Sequence, residues 1–513
     1  MKKNTLSLAL AASLLAGLAA CSKEDTTPAP NVTGGGTTTP TTPTTPSTGQ
    51  VVTVGGTSGS TDITANTTWS AANKYLLKGF VYVKAGATLT IEAGTIIKGD
   101  KDTKGTLIIE PGAKIMAVGT PDKPIIFTSN QPKGARNYGD WGGIVLAGKA
   151  PVNSIDGANL PTGEGGITTK YGGTDAADNS GTMQYVRIEF PGVALTPNNE
   201  INGLTFDGVG SGTVIDHIQV SYSGDDAFEW FGGAVNAKYI VAHRTFDDDF
   251  DTDNGFSGKI QFAVSLRDPL QADQSGSKAF ESDNDSGGSA KTPKTSAVFS
   301  NVTAVGPIIN TSGGNYSPQY TAGAHIRRNS GISILNSVIM GFPTNLLIDN
   351  SLTAANAANG DLKFKNNLVA GSLTGSNSAS GQRSIIYVGP SGGASNLTPN
   401  TVMASDSAAW GSAVGPLTWL KANGNKRYAT SDNVQLLNPF NLTSPSFIPR
   451  SGSPIVTVAP ATAPAAPADF TDGKVTDAFF TKVAYIGAFS GSGASSDNWL
   501  ASWTNFDPQN TDY

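Results

Sequence analysis

The sequence predicts an all-β chain folded as a right-handed parallel β-helix, a solenoid of short strands and turns. Three observations support this prediction. Gly contributes 61 of the 513 residues and charged residues only 14 %, a composition that favours strands and turns over helices. Segments repeat, since Leu89–Ile97 resembles Leu107–Ile115 at an offset of 18 residues. Apolar and polar residues alternate along these segments, as in strands with one buried face.

Residues 1–20 have the pattern of a secretion signal. Lys2 and Lys3 precede an apolar run over residues 6–18, which is too short to span a bilayer comfortably. The run ends in Leu-Ala-Ala-Cys, which resembles a bacterial lipobox, and Cys21 is the single cysteine of the chain. We therefore predict a lipoprotein signal peptide over residues 1–20 and a membrane anchor through acyl chains, palmitate among them, on Cys21.

A polar segment follows the cysteine. Residues 22–25, Ser-Lys-Glu-Asp, resemble the acidic signal with which some Gram-negative lineages export lipoproteins to the cell surface; a plain polar tether is the alternative. Residues 26–50 are mainly Thr, Pro and Gly, and such a segment cannot bury enough apolar surface to fold. We expect residues 21–50 to be a lipid anchor and disordered linker. The protein is then an outer-membrane lipoprotein at the cell surface or, otherwise, on the periplasmic face.

The predicted β-helix covers residues 51–460, with almost no α-helix. A later repeat supports it, because residues 185–192 align with residues 217–224. A β-sandwich is the alternative, but it would not explain repeats at fixed offsets. The periodicity weakens after about residue 370. We expect residues 461–513 to fold back as a capping segment over the open end of the solenoid; a small separate domain is the alternative.

Four sequence runs carry a resemblance to known proteins: VKAGATLTIEAGTIIKG, PDKPIIFTSN, GDWGGIVLAG and SGDDAFEWFGG. They resemble a group of bacterial lipoproteins with a right-handed parallel β-helix, which belong to the pectate-lyase-like superfamily. The resemblance covers roughly residues 70–370. It implies a surface or periplasmic β-helix, and it implies no particular reaction.

One acidic motif recurs within the predicted β-helix. Residues 225–229, Asp-Asp-Ala-Phe-Glu, recur 22 residues later as residues 247–251, and the Phe-acid pair recurs after another 30 residues at residues 280–281. If each offset is one coil, the three Phe rings stack inside and Glu229, Asp251 and Glu281 stack outside. Adjacent coils are about 4.8 Å apart, where like charges repel by roughly 3.5 kcal/mol at an effective dielectric constant of 20.

This repulsion needs a remedy, and calcium is the candidate cofactor because it takes six to eight oxygen ligands. Compensation by basic residues, a solvated acidic face and catalytic carboxylates are the alternatives. The candidate ligands all lie in or beside the recurring motif: Asp225, Asp226, Glu229, Asp247, Asp248, Asp251, Asp253, Glu281 and Asp283.

An enzyme that cleaves polysaccharides is the competing interpretation. Gly-Asp-Asp at residues 224–226 and Asp-Thr-Asp at residues 251–253 resemble motifs of the polygalacturonases, but their order is reversed and no Gly-His-Gly motif occurs. The candidate catalytic acids are Asp225, Asp226, Asp248, Asp251 and Glu281. A lyase would also need a basic residue, for which Arg244, Arg267, Arg327 and Arg328 are the candidates.

The remaining features narrow the function classes. A net charge of −6 excludes nucleic acid as an expected partner, since phosphate binding needs a basic face. His217, His243 and His325 are scattered and are expected to be strand residues rather than metal ligands. Four aromatic residues near the acidic motif could stack on a sugar ring or belong to the core: Trp230, Phe231, Phe246 and Phe256. We expect a monomeric binding or adhesive protein with a polysaccharide ligand, and leave catalysis open.

Overall fold

The computed structural model describes residues 49–196, 199–309, 315–372, 385–388, 416–456, 467–491 and 497–513. Short strands dominate, and 26 of them form one network of hydrogen-bonded parallel neighbours. These 26 are β1 Val51–Ile63, β2 Thr67–Trp69, β3 Lys74–Val83, β4 Thr88–Ile91, β5 Ile96–Gly99, β6 Thr106–Ile109, β7 Lys114–Val118, β8 Ile125–Ser129, β9 Gly143–Ala147, β10 Gly181–Glu189, β13 Leu204–Asp207, β14 Val214–Ser221, β15 Phe228–Phe231, β16 Asn236–His243, β17 Phe250–Asp253, β18 Lys259–Leu266, β19 Lys278–Ser282, β20 Val298–Val305, β21 Ala322–Ile326, β22 Ser333–Leu335, β23 Val338–Met340, β24 Thr344–Asp349, β25 Lys363–Lys365, β26 Leu368–Ala370, β27 Ile385–Val388 and β28 Lys426–Tyr428. Two antiparallel pairs lie outside the network: β11 Ala194–Thr196 with β12 Asn199–Glu200, and β29 Leu436–Asn438 with β30 Ser446–Pro449.

The chain visits three sheet faces in turn, which confirms the predicted parallel β-helix. The first face, which we call the acidic face, contains the second halves of β1 and β3 and then β6, β9, β13, β15, β17, β19, β21, β24 and β27. The long strands β10, β14, β16, β18 and β20 each bend at a corner and contribute to both other faces. The parallel network ends at Tyr428 among the described residues, before the expected boundary at residue 460.

The strand register tests the repeats. Phe228 pairs with Phe250 and Phe250 with Phe280, so the offsets of 22 and 30 residues are each one coil. The 18-residue similarity is different, because Leu89 pairs with Ile115, 26 residues away. The two similar segments lie on different faces of the β-helix, so one coil contains the same strand-and-turn pattern twice.

The interior of the coils is filled with stacked aromatic and aliphatic side chains. The rings of Phe228 and Phe250 lie 6.0 Å apart, and Trp230 stacks on Phe256 at 5.3 Å. Trp230 and Phe256 are 0 % exposed, and Phe231 is also buried. These three aromatic residues are therefore unable to stack on a sugar, and their assignment to the core is correct. Trp230 and Phe256 face the interior of the coils, and Phe231 is covered by a loop.

The described C-terminal residues lie along the side of the β-helix. Gln261 and Gln219 exchange paired side chain–backbone hydrogen bonds of 2.8 Å with Thr481 and Asn505, respectively. Tyr513 donates a 2.6 Å hydrogen bond to Glu189, and Asn336 bonds Asp469. We call residues 467–491 and 497–513 the strap. The strap contacts successive coils along their flank, whereas we expected a cap over one open end. The reason is that amide side chains at the bent corners of the coils bind the backbone of the strap.

Among the residues that the structure describes, helices are few, as expected. The α-helices there are α1 Ser351–Asn359 and α2 Pro416–Ala422, and short 3₁₀ turns occupy Ser431–Val434, Gly473–Val475 and Pro508–Asn510. Helix α1 begins at an Asn350 cap, whose side chain accepts from the backbone of Thr353, and ends at Gly360 in the left-handed conformation. None of the helices in the described part of the chain is long and apolar enough to cross a membrane.

Candidate acidic groove

The acidic motif forms one groove on the acidic face. Glu229, Asp251 and Glu281 pair in register on β15, β17 and β19, and their side chains point away from the core, as predicted. A cavity of about 230 Å³ lies over them. It is lined by Glu164, Glu200, Asp225, Asp226, Glu229, Asp247, Asp248, Asp251, Ser275, Lys278, Glu281 and Arg327. Nine of these twelve residues are acidic, and all of the predicted catalytic acids are among them.

The second aspartate of each pair has a structural reason for recurring. It stands in the turn that enters the acidic face, and its side chain binds the backbone of the next coil. Asp226 Oδ1 accepts a 2.7 Å hydrogen bond from the backbone N–H of Asp248, and Asp248 Oδ1 accepts a 2.6 Å bond from that of Lys278. The turn carboxylates therefore hold successive coils together, and they do so at the edge of the groove.

Basic residues compensate one end of the groove. The Lys278 ammonium group contacts Glu281 and lies 3.3 Å from Asp248 Oδ2. Arg327 contacts Glu281 and lies 2.8 Å from Asp283, which Arg328 also binds at 2.6 Å. We call Asp248, Glu281 and Asp283 the neutralised half of the groove. The predicted compensation by basic residues is correct for this half.

The other end has no such compensation. We call Asp225, Asp226, Glu229 and Asp247 the anionic half, and no salt bridge to any of them occurs in the part of the chain that the structure describes. Glu229 accepts a hydrogen bond from the amide of Asn202. Asp247 Oδ1 and, between the halves, Asp251 Oδ1 are buried without a hydrogen-bond partner in the described segments. Acceptors without donors at this end call for a cation or for protons.

The crowding changes the acidity of these groups. Burial and then the charge of Asp247 raise the pKa of Asp225 well above its usual value. Burial and then Asp225 raise the pKa of Asp226 in the same direction, and burial with Glu164 does so for Glu229. The pKa of Asp251 is raised to about 7 by burial and by Asp253, against the lowering effect of Arg327 and Lys278. Without a cation, Asp225, Asp226 and Glu229 therefore keep their protons to a higher pH than exposed carboxyl groups do.

Three triads of carboxylates could hold a metal ion, with ligand atoms within 4.8 Å of one another. They are Asp225–Asp226–Asp247, Asp226–Glu229–Asp251 and Asp248–Asp251–Glu281. The third already contains the Lys278 ammonium group, so only the first two fit a cation. Calcium suits them because three carboxylates offer up to six oxygens. Asp253 and Asp283 lie outside the triads; Asp253 accepts from the backbone of Asn254 instead.

Of the candidate basic residues, two lie at the groove and two are buried or paired elsewhere in the structure. Arg327 lines the groove and Arg328 lies beside it on Asp283, whereas Arg267 is fully buried against Asp249 at 2.8 Å and Arg244 pairs with Asp268. Arg244 and Arg267 therefore have structural roles. His243 is buried and bonds the backbone of Leu442, and His217 stacks between Tyr185 and Tyr239, as expected for strand residues.

Some groove residues were missed from the sequence. Glu164 comes from the long loop before β10, and Glu200 ends the short strand β12; no repeat marks either of them. Lys278 could have been found, because it follows Asp226 and Asp248 at the two coil offsets and so occupies the equivalent position of the third coil.

Comparison with known proteins agrees with the geometry. The family described as "Pectate-lyase like beta helix domain" matches residues 61–416, which contain the whole groove. No curated protein and no solved structure matches the chain.

Proposed function

Since the chain belongs to the family of pectate-lyase-like β-helix domains, we propose that it is a polysaccharide-binding protein whose acidic groove holds a divalent cation, with calcium the best candidate. The anionic half carries this proposal, because two carboxylate triads that include its residues face the cavity, and no member of either triad forms a salt bridge with a basic residue that the structure describes. An ion held by one wall of a groove keeps positions open for further oxygen ligands. Sugar hydroxyl or carboxylate groups would supply them, and the flat sheet face suits an extended polymer.

Calcium titration of the folded chain tests the cation site. We expect calcium to bind by calorimetry and to raise the melting temperature relative to chelator, by up to about 2.7 kcal/mol of stability at a hundredfold excess over Kd. Asp226→Asn should abolish both effects, since Asp226 belongs to two triads. Asp62→Asn is the matched control, because Asp62 stands in the same outward column on β1, far from the groove. A melting temperature indifferent to calcium would contradict the proposal.

Catalysis is a second candidate, and one observation favours it. The pKa of Asp251, raised to about 7, suits a general acid near neutral pH, and Arg327 and Lys278 stand beside it. Acidic and neutral polysaccharides should be screened for cleavage. Turnover that disappears in Asp251→Asn at an unchanged melting temperature would establish a lyase or hydrolase and overturn a purely binding role.

The location of the protein is part of the proposal. Cys21 is outside the described residues, and its lipobox supports an outer-membrane lipoprotein, placed at the cell surface by the acidic residues after it. Cys21→Ser should release the protein from membranes. Protease treatment of intact cells then distinguishes a surface location, where the folded part is removed, from the periplasmic face, where it is protected.

A further inference from the structure

One carboxyl group outside the groove has unusual surroundings. Asp207 lies on β13 in register with Ala147 and Phe231, and its side chain points away from the core. The residue is 0 % exposed, and neither of its carboxylate oxygens has a hydrogen-bond partner among the residues that the structure describes. Because an ionised carboxylate without a partner is very costly to bury, this arrangement favours the neutral form of the group.

The residues that bury Asp207 belong to the long connection between β9 and β10. We call residues 154–171 the cover loop. A Cβ added at Gly163 would lie 2.9 Å from Asp207 Oδ2, so the backbone of the cover loop rests directly on the carboxyl group. Tyr171 is buried beside it and packs with Phe231 in one apolar cluster. The cover loop therefore lies closed over Asp207.

The charged and titratable groups around Asp207 favour its neutral form. Burial and then the charge of Glu164, on the cover loop, raise the pKa of Asp207 well above its usual value. The neighbouring hydroxyl of Tyr171 faces Asp207, Glu164 and, on β15, Glu229. Glu164 in turn faces Glu200 and Asp253. These facing groups are all acids or a phenol, so ionisation of Asp207 adds a charge that nothing among them compensates.

The cover loop is fixed at both ends and reaches the groove between them. At one end the Asn153 side chain donates a 2.7 Å hydrogen bond to the backbone of Asn284, and at the other the Gly172 N–H bonds the Gly148 carbonyl at 2.9 Å. Glu164 lies between these anchors and lines the groove. Movement of the cover loop therefore changes the wall of the groove without unfolding a coil.

We propose that the cover loop is a pH-controlled cover for one wall of the acidic groove, closed while the Asp207 carboxyl group is protonated and released when it ionises. Its importance for ligand access rests on the proposed function of the groove. The closed state is fully favoured below the ordinary pKa of an aspartate, about 4. It loses stability as the pH rises towards the higher value of the closed state.

Hydrogen–deuterium exchange of the full chain, corrected for the intrinsic rate, tests this at pH 5 to 9. We expect protection of peptides from residues 154–171 to fall about tenfold or more between pH 5 and pH 8. Asp207→Asn should keep the protection at every pH, because an amide cannot ionise. Asp156→Asn, on the exposed tip of the same loop, should behave like the wild type.

Two further results complete the test. Gly163→Ala should displace the cover loop from the carboxyl group and speed exchange at every pH, which is informative even if Asp207→Asn folds poorly. Equal pH dependence in the wild type and Asp207→Asn, or none in the wild type, would overturn the proposal. Calcium calorimetry on the same samples reports on the proposed function separately, since absent calcium binding leaves the exchange result standing.

Discussion

The two halves of the acidic groove are built by the same repeat but are completed differently. Asp226, Asp248 and Lys278 occupy equivalent positions in three successive coils, one at each offset of 22 and 30 residues. The third coil has a lysine where the first two have aspartates, and its ammonium group lies between Asp248 and Glu281. The neutralised half therefore contains its own cation, whereas the anionic half depends on one from solution or on protons.

This difference shows that a stacked repeat is not by itself a binding site. Where the fold places basic residues beside the column of carboxylates, the column forms a structural ion-pair network. Where it does not, the same column is a potential ligand site. The sheet only fixes the spacing; the residue at one position per coil decides between the two outcomes.

Removing the internal cation should have the largest effect. We expect Lys278→Met to destabilise the protein by about 3–5 kcal/mol at pH 7 in chelator, because it leaves Asp248 buried without a basic partner and leaves Glu281 with Arg327 alone. Urea unfolding measures the loss. Calcium should restore part of it, since the third triad becomes available to an ion. A loss below about 1 kcal/mol would mean that Arg327 alone neutralises this half.

The anionic half should make stability depend on pH in the opposite way from an ordinary salt bridge. Because the folded-state pKa values of Asp226, Glu229 and Asp251 are raised, the folded state binds more protons than the unfolded chain above about pH 4. In chelator, stability should fall by about 1–3 kcal/mol as the pH rises towards 7 or 8.

Melting curves in chelator at pH 5, 6, 7 and 8 measure this fall. Asp226→Asn should make it smaller, and calcium should remove most of it by stabilising the ionised carboxylates. A melting temperature that rises steadily with pH in chelator would show that the groove is already neutralised by groups other than those identified.

The smallest effect is expected at the edge of the neutralised half. Arg328→Gln should cost less than about 1 kcal/mol, because its side chain is 41 % exposed and Arg327 remains on Asp283. Chemical denaturation at low and high salt checks this. A cost of several kcal/mol would place Arg328 among the required cations of the groove.

The repeat made the fold and the axis of the groove predictable. Phe228, Phe250 and Phe280 mark an inward column because an aromatic residue recurs at each coil, and the acid that follows each of them must then face outward. The repeat also places Lys278 at the position equivalent to Asp226 and Asp248. A comparison that looks for similar residues misses it, because aspartate is replaced there by lysine.

Other features depend on contacts between distant segments and leave no periodic signal. Glu164 reaches the groove from a loop and Glu200 from the short strand β12, beside the apolar residues Ile167 and Ile201, which pack in one cluster. Nothing near Asp207 in sequence indicates that Gly163 will cover it. The sequence also does not reveal that Asp226 and Asp248 each accept a hydrogen bond from a backbone N–H of the next coil.

The strap changes how the solenoid holds together over time. Coils that touch only their neighbours can separate one by one from an end, but Lys98 bonds the backbone of Tyr513, 415 residues away, and Arg136 bonds Thr511 across 375 residues. Such contacts raise the mean sequence separation of the native interactions, which slows folding. They also tie early coils to late ones, so the coils that the strap contacts cannot separate from one another until it detaches.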